Sequence, residues 1–474
     1  MAYVILRAPG VRRFHIMSEA VSTQEQFTKQ QANKEIIKAK LRATQPQYDP
    51  KMSNADFLKM WPIDVHQDPY KIPLAELNVG HPDLFEADTM WPYFERLRKE
   101  APVHYCAKSQ FGPYWSLTKF EDIRKCDSNH QVFSSDSRIG GISLGGGADP
   151  DPQFDLPMFI QEDPPKHEAQ RKVVAPMFTP RNLVDLEPLI RERAGKILDN
   201  LPRNEDFNWV RHVSVELTGQ MLATLFDIPQ EDRHKLIYWS DSTSNLGNPE
   251  YFATVEEGFK VLWECYAYFD EVWKDRVKNP HKLDLISMLA HGESTKNMPP
   301  NEYLGNILLL IVGGNDTTRN SITGGLLALN RFPNEYKKLR ENPGLITNMV
   351  PEIIRWQSPV AHMARTALED TEIGGKKIAQ GDKVIMWYIS GNRDEEAIEN
   401  PNQFLIDRAN ARHHLSFGFG IHRCLGNRLG EMQLRVIWEE IHKRFKNIEV
   451  VGDPVYLKSS FIHGIRELPV RIRA

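Results

Sequence analysis

The chain has 474 residues, 41% of them apolar and 26% charged, with a net charge of −4 spread over both signs. These proportions are ordinary for a globular protein, and the balanced charge argues against a basic nucleic-acid-binding face. Its four cysteines (Cys106, Cys126, Cys265, Cys424) are scattered. The absence of a CxxC pair or an evident disulfide framework points to a reducing compartment and away from structural zinc.

The opening residues, MAYVILRAPGVRRFHIM, hold an apolar run too short for a signal segment. Nothing along the chain approaches the roughly eighteen apolar residues of a membrane span. A cytoplasmic protein without a span is therefore expected. A polar stretch follows Met17, which is an alternative start. Residues 1–85 read as a partly disordered N-terminal extension and residues 86–474 as the main unit. Aromatic and β-branched residues around Phe111-Gly112-Pro113 predict a hairpin. The glycine-rich stretch at 139–152 has neither the order of a dinucleotide fingerprint nor a GK[ST] phosphate loop, and reads as a mobile surface loop. From Pro164 to Trp356 the periodicity is mostly helical. Strand-like alternation follows over 371–386, and the last residues alternate like a closing hairpin. The expected fold class is mainly α with a smaller β portion, in one compact unit.

Two segments carry chemistry. LLLIVGGNDTTRNSITGGLLALN (308–330) lies between Pro299-Pro300 and Pro333, which predicts a helix over about 301–330. It is apolar nearly all round and so should be buried. Its centre nevertheless holds Gly313, Gly314, Asn315, Asp316, Thr317 and Thr318. Mid-helix glycine costs about 1 kcal/mol against alanine, and buried polar groups cost more without partners. A capped kink would explain the set; so would an opening beside a bound group, with both glycines making room. The second segment is FGFGIHRCLG (417–426), running straight into the helix-like NRLGEMQLRVIWEEIHKRF. A cysteine at a helix entrance has its thiolate favoured by free N–H groups and the helix dipole, and glycines there allow a flat partner close approach. A lone cysteine is more often a small core residue.

The whole pattern F-G-x-G-x-H-x-C-L-G resembles the haem-ligand loop of the cytochromes P-450. The resemblance implies a haem-thiolate monooxygenase with haem b, Cys424 as the iron ligand, and Phe417, Gly418 and Gly426 against the cofactor. GGNDTT is similar to that family's acid–alcohol segment. It implies that Thr317 hydrogen-bonds the oxygen being activated, or a water beside it, and that Asp316 passes protons inward. Glu352 and Arg355 share a helix face and resemble the family's E-x-x-R; Arg408, after Pro401 and Phe404, completes that structural network. Pro351, directly before Glu352, predicts a helix that starts late or kinks. By the same motif match His167, Arg171, Arg365 and His422 fall to the haem propionates, with Arg412 or His414 as alternatives to His422.

At finer level LIVGGNDTTRNS, EIIRWQSP, MWYISGNRDE and GNRLGEMQLR resemble the bacterial P-450 family of medium-chain alkane and fatty-acid terminal hydroxylases. The resemblance implies an apolar tube for the chain, with Ile139, Ile142, Leu144, Leu309, Gly313, Val360, Met363 and Phe461 as its walls. Another P-450 substrate, a terpene or sterol, is the enzymatic alternative. A non-catalytic haem-thiolate sensor is the other, and the Asp316–Thr317 pair argues against it. Electrons are expected from a ferredoxin reloaded by an NAD(P)H-dependent reductase, docking near Arg412, Arg423, Arg428, Arg435 and Lys443.

Overall fold

A computed structural model describes residues 28, 30–44, 49, 51–147, 153–279 and 283–473. The fold is mainly helical with minor sheets, as the sequence predicts. Its axis is the long apolar segment. Pro300, lacking an N–H that the first turn has no use for, opens a helix that runs unbroken to Arg331. Leu304, Ile307, Leu308, Ile311, Ile322, Leu326 and Leu329 are all buried along it. Each such side chain contributes about 1.5–3 kcal/mol by leaving water.

Eight helices matter below: α1 (30–44), α2 (Phe120–Ser128), α3 (Lys166–Val174), α4 (Val215–Leu225), α5 (Arg233–Ser244), α6 (Pro300–Arg331), α7 (Ile346–Gln357) and α8 (Asn427–Arg444). α4, α5, α7 and α8 all pack on α6. The helix α7 begins at Ile346 and runs through Pro351. The late start expected from that proline is not found: five residues precede it in the helix, and the apolar face of α7 (Ile346, Met349, Val350, Ile353, Ile354) holds the segment helical by packing.

The β portion is a five-stranded sheet in the order β1-β2-β5-β4-β3, where β1 is Val103–Cys106, β2 Tyr114–Leu117, β3 Phe133–Ser134, β4 Met363–Ala367 and β5 Lys383–Met386. β1 and β2 form the expected hairpin, with Gly112 at φ 79° in its turn. β2 and β5 pair in parallel, β5 and β4 antiparallel. Short two- and three-stranded sheets gather the C-terminal alternation.

In the described part of residues 1–85, contacts with the rest of the chain begin in the helix over 30–44. In α1, Ile37 and Leu41 pack against Ile139 and Leu368, and Lys34 pairs with Asp136 and Asp163 at 2.7 Å each. Leu77, Val79, Leu84 and Phe85 share a core with Tyr114, Ile385 and Trp387. Residues 1–27 lie outside the described residues, and the reading of the start with them. The glycine-rich loop, through residue 146, is stapled to the sheet. The amide of Ala364 donates to Ile142 O at 2.7 Å, and Thr366 Oγ1 to Ile139 O at 2.6 Å. Lys383 Nζ donates to Leu144 O at 2.8 Å and to Gly146 O. Glycine composition had pointed to mobility; backbone carbonyls turned toward buried donors remove it. Among the described residues no helix is long and apolar enough to cross a membrane.

Candidate active site

Cys424 lies two residues before Gly426, the cap of α8. Its amide donates to Phe417 O at 2.8 Å, closing the loop on itself. Its side chain is exposed, yet burial among protein atoms still pushes the thiol up; N–H groups of Gly426 and Asn427 and the guanidinium charges of Arg171 and Arg423 oppose that. The two observations agree if the sulfur faces an internal slot. There a bound cation would supply what ionises it. Gly418 and Gly420 have φ of 65° and 64°, where a side chain is strained. A Cβ on Gly420 would stand 2.7 Å from Asp127 O, and one on Gly418 3.1 Å from Asp127 Oδ2. These two glycines let the loop turn tightly against the end of α2. A Cβ on Gly426 has only Phe178 near it, at 3.9 Å.

Behind the loop lies an ion network whose centre, Glu352 and Arg355, is fully buried. Arg355 donates to both carboxylate oxygens of Glu352 at 2.7 and 2.8 Å. Arg408 donates to the same carboxylate at 2.9 and 3.2 Å, and the amide of Leu405 adds a donor at 2.9 Å. Arg355 also reaches the carbonyls of Asn392, Pro401 and Gln403. A charge this deep is tolerated because every lone pair and proton is used.

In α6 the position without a side chain or neighbour is Gly313. A Cβ built there meets nothing within 4 Å, whereas one on Gly314 would meet Leu222 of α4 at 2.8 Å. The two glycines thus differ: Gly313 opens the helix and Gly314 lets α4 approach. The expectation that both make room is corrected to one. Thr317 Oγ1 donates to Gly313 O at 2.8 Å. Asp316 points the other way. It is buried, accepts from Ser240 at 3.1 Å and Ser244 at 2.6 Å on α5 and from Asn315 at 3.0 Å, and pairs with Arg319 at 2.9 Å. Arg319 continues to Asp241 at 2.8 Å. Burial pushes Asp241 up; Arg319 opposes and the Asp316 charge adds to the rise. Asn315, Asp316 and Thr317 in the costly polar centre of the helix therefore each have a partner.

The four predicted propionate residues come together. His167 and His422 lie with ring centroids 4.2 Å apart. Burial and the charges of Arg171 and Arg365 hold His167 down to about 4, and burial, Arg365 and His167 depress His422 further. Both ring nitrogens of His167 and Nδ1 of His422 are buried without a hydrogen-bond partner. His422 Nε2 meets Ser135 Oγ at 3.1 Å. Orphaned nitrogens beside two guanidinium groups are the chemistry of an anion cradle. Arg365 is already bound to Asp127 at 2.7 Å. Asp127 also accepts from Tyr388 OH at 2.8 Å and the Phe419 amide at 2.7 Å. It ties strand β4, Tyr388 and the cysteine loop together, and sequence reading missed it: its partners are distant in sequence. Arg412 is exposed and paired with Glu431. Burial, with Arg355 and Arg412 nearby, drives His414 down to about 3.

The expected tube walls separate into two sets. Leu309, Val360, Met363 and Phe461 are half-buried, and Gly313 is exposed. Ile139 and Leu144 are enclosed in packed clusters, and Ile142 is buried beside them in the stapled loop.

Comparison with known proteins agrees with this geometry. A profile of the Cytochrome P450 family matches residues 248–455. Linalool 8-monooxygenase of Pseudomonas putida is 35% identical over 405 residues, 83% of this chain and 98% of that protein. The chain belongs to the cytochrome P450 family. The methyl-branched lipid omega-hydroxylase of Mycobacterium tuberculosis is 32% identical, covering 85% of this chain and 96% of its own. The structure of cytochrome P450-153 from Novosphingobium aromaticivorans superposes with a TM-score of 0.79 at 43% identity, covering 84% of this chain and all of that one. The protein is a cytochrome P450 monooxygenase, and the family implies a haem-thiolate cofactor. The residues present fit it: Cys424 would hold the iron, and His167, Arg171, Arg365 and His422 the propionates. When bound, the haem supplies the oxidising chemistry.

Proposed function

We propose that this P450 hydroxylates the terminal methyl group of medium-chain alkanes or fatty acids. One oxygen atom of dioxygen enters a C–H bond, and the other leaves as water with two electrons and two protons. The observation that carries the reading is the single bare position in α6. Gly313 leaves space at mid-helix while Leu309, Val360, Met363 and Phe461 stand half-buried and apolar. A methyl C–H bond is stronger than its methylene neighbours, so only position can select it. A narrow apolar passage that presents the chain end first does so. Each methylene buried contributes about 0.8 kcal/mol, so a chain of several carbons binds without polar contacts. Ile139, Ile142 and Leu144 support the passage from behind.

Asp316 and Thr317 divide the proton work. Thr317 holds a hydroxyl at the open side of the helix, fixed by its bond to Gly313 O. Asp316, with Ser240, Ser244 and Asp241, carries protons from the α5 side toward that hydroxyl. Electrons come from a ferredoxin. Arg435, Lys443 and Arg412 have carboxylate partners, whereas Arg423 and Arg428 are exposed and show none among the described residues. The docking face therefore centres on Arg423 and Arg428. Charge reversal at both is expected to slow ferredoxin-supported reduction, increasingly at low salt; an unaltered rate refutes the face.

The omega-hydroxylase relative supports oxidation at a chain end. The linalool relative supports a second reading, a terpene substrate. Titrating the haem absorption band with an alkane, a fatty acid and linalool separates them. The proposal expects the linear chains to shift the band at lower concentration; tighter response to linalool favours the second reading.

A further inference from the structure

A cavity of about 200 Å³ lies away from the cofactor slot, between the C-terminal half of α6 and the end of α7. Arg393, Trp356, Trp91, Tyr456, His463 and Arg331 are among its walls. None of the residues assigned to haem, oxygen or substrate lines it. Arg393 is its most unusual wall. The side chain is 4% exposed, and its guanidinium is stacked 4.2 Å from the ring centre of Trp356 and 4.7 Å from that of Trp91. Nη2 donates to Trp356 O at 2.9 Å. Nη1 is buried and has no partner, and no carboxylate stands within ion-pairing distance among the described residues. Two indole faces stabilise a cation, but they leave its in-plane donor unsatisfied, which is costly in a buried site.

A second orphan faces the same space. His463 Nδ1 is engaged with Gln357 O at 2.7 Å, which sets Nε2 as an acceptor, and Nε2 is buried without a partner. The remaining charged walls are Arg331 and Asp88. Arg331 donates to Tyr456 OH at 3.0 Å and stands 3.9 Å from Asp88; Asp88 also accepts from Trp91 Nε1 at 2.8 Å. With His463 neutral, since burial lowers its pKa, two guanidinium groups face one carboxylate. The cavity is short of one negative charge. Arg331 and Asp88, partly exposed, form its mouth.

We propose that this cavity binds a small organic monocarboxylate, with its carboxylate on Arg393 Nη1 and toward Arg331, and its apolar body between Trp91, Trp356 and Tyr456. A hydroxyl or water at its edge donates to His463 Nε2. A single carboxylate restores the charge balance, and aromatic walls favour a planar organic body over an inorganic anion. The volume matches about seven waters at their liquid share, which suits a molecule the size of benzoate.

The test uses the haem-loaded full chain, titrated with benzoate, neutral benzamide and inorganic phosphate by calorimetry and thermal unfolding, with the haem band recorded throughout. The proposal expects one benzoate per chain, a raised unfolding temperature and an unmoved haem band. Benzamide, which loses the charged hydrogen bond, binds at least about ten-fold more weakly, and phosphate, which has no organic body for the aromatic walls, also binds at least about ten-fold more weakly. Arg331→Gln weakens benzoate about ten-fold, and Arg393→Gln abolishes binding; if the latter fails to fold, Arg331→Gln decides. Equal binding of benzamide, equal binding of phosphate, an undiminished affinity in Arg331→Gln, or a haem band that moves in step with benzoate would each overturn the proposal. So would the absence of any benzoate binding, which leaves only water in the cavity.

Discussion

On the sulfur side of the slot, Cys424 sits in a loop turned by two left-handed glycines, backed by Glu352 with five donors around its carboxylate and tied through Asp127 to strand β4. On the side proposed for oxygen, α6 has one position where a Cβ would meet no neighbour, and two polar side chains of the same stretch, Thr317 and Asp316, face opposite ways. One wall is over-determined and the other is left open. On the proposed reading the difference follows from what each would do: a ligand to a metal is held in one place, whereas oxygen, substrate and protons pass. Rigidity is placed where position matters, and space where traffic does.

That contrast can be broken first at its rigid side. Arg355→Ala leaves Glu352 buried with Arg408 alone, and the account expects a loss of about 3–5 kcal/mol, the scale for a broken buried pair. Chemical denaturation and the fraction of chain that retains haem measure it; a loss below 1 kcal/mol would show that the wall does not depend on this network. On the open side Asp316→Asn is expected to slow turnover about 100-fold, within the range for a lost proton-transfer group, with substrate-induced changes in the haem band preserved. Single-turnover kinetics with and without solvent deuterium test it, since a proton step made limiting shows a larger isotope effect.

A third test concerns Lys383, which holds the glycine-rich loop to the sheet. Burial holds Lys383 down to about 7, below its ordinary value. Between that pH and the ordinary lysine range the unfolded chain binds a proton that the folded chain does not. Stability therefore rises as pH climbs through this window, by at most about 1.4 kcal/mol per pH unit from this group, and its contribution is flat below about 7. Lys383→Met removes that part of the slope. A variant with the parent's slope would show that the lysine does not titrate there. The smallest effect sharpens the comparison within α6. Gly314→Ala forces a methyl toward Leu222 and is expected to cost about 1–3 kcal/mol. Gly313→Ala meets open space and should gain up to about 1 kcal/mol of helix stability while altering turnover or chain-length preference. Equal stability effects would contradict the division of labour between the two.

What sequence reading reached follows the same line. Cys424, Gly313 and the Glu352–Arg355 pair stand in short linear patterns, so they could be singled out before any coordinates, and the pairing of Glu352 with Arg355 is present in the structure. Arg408 was reachable because Pro401 and Phe404 mark it. Asp127 was not: its partners Arg365, Tyr388 and Phe419 are brought to it only by the sheet and the loop. The same holds for Ser240, Ser244 and Asp241, one helix away from Asp316. Composition misled at the glycine-rich loop, where Lys383 and Thr366 supply donors that glycine content cannot show. It misled at Pro351 because tertiary packing outweighs the local cost of a proline. The Arg393 cavity was invisible for a related reason, since Trp91, Trp356 and His463 share no motif.

The central claim is that the open wall presents a chain end first. Incubating the haem-loaded protein with a ferredoxin, its reductase and octane, and determining the position of oxygen in the alcohol formed, tests it most directly. The account predicts the primary alcohol as the main product from the parent chain, with a shift toward subterminal alcohols in Gly313→Ala. Predominantly secondary alcohols from the parent chain would contradict it.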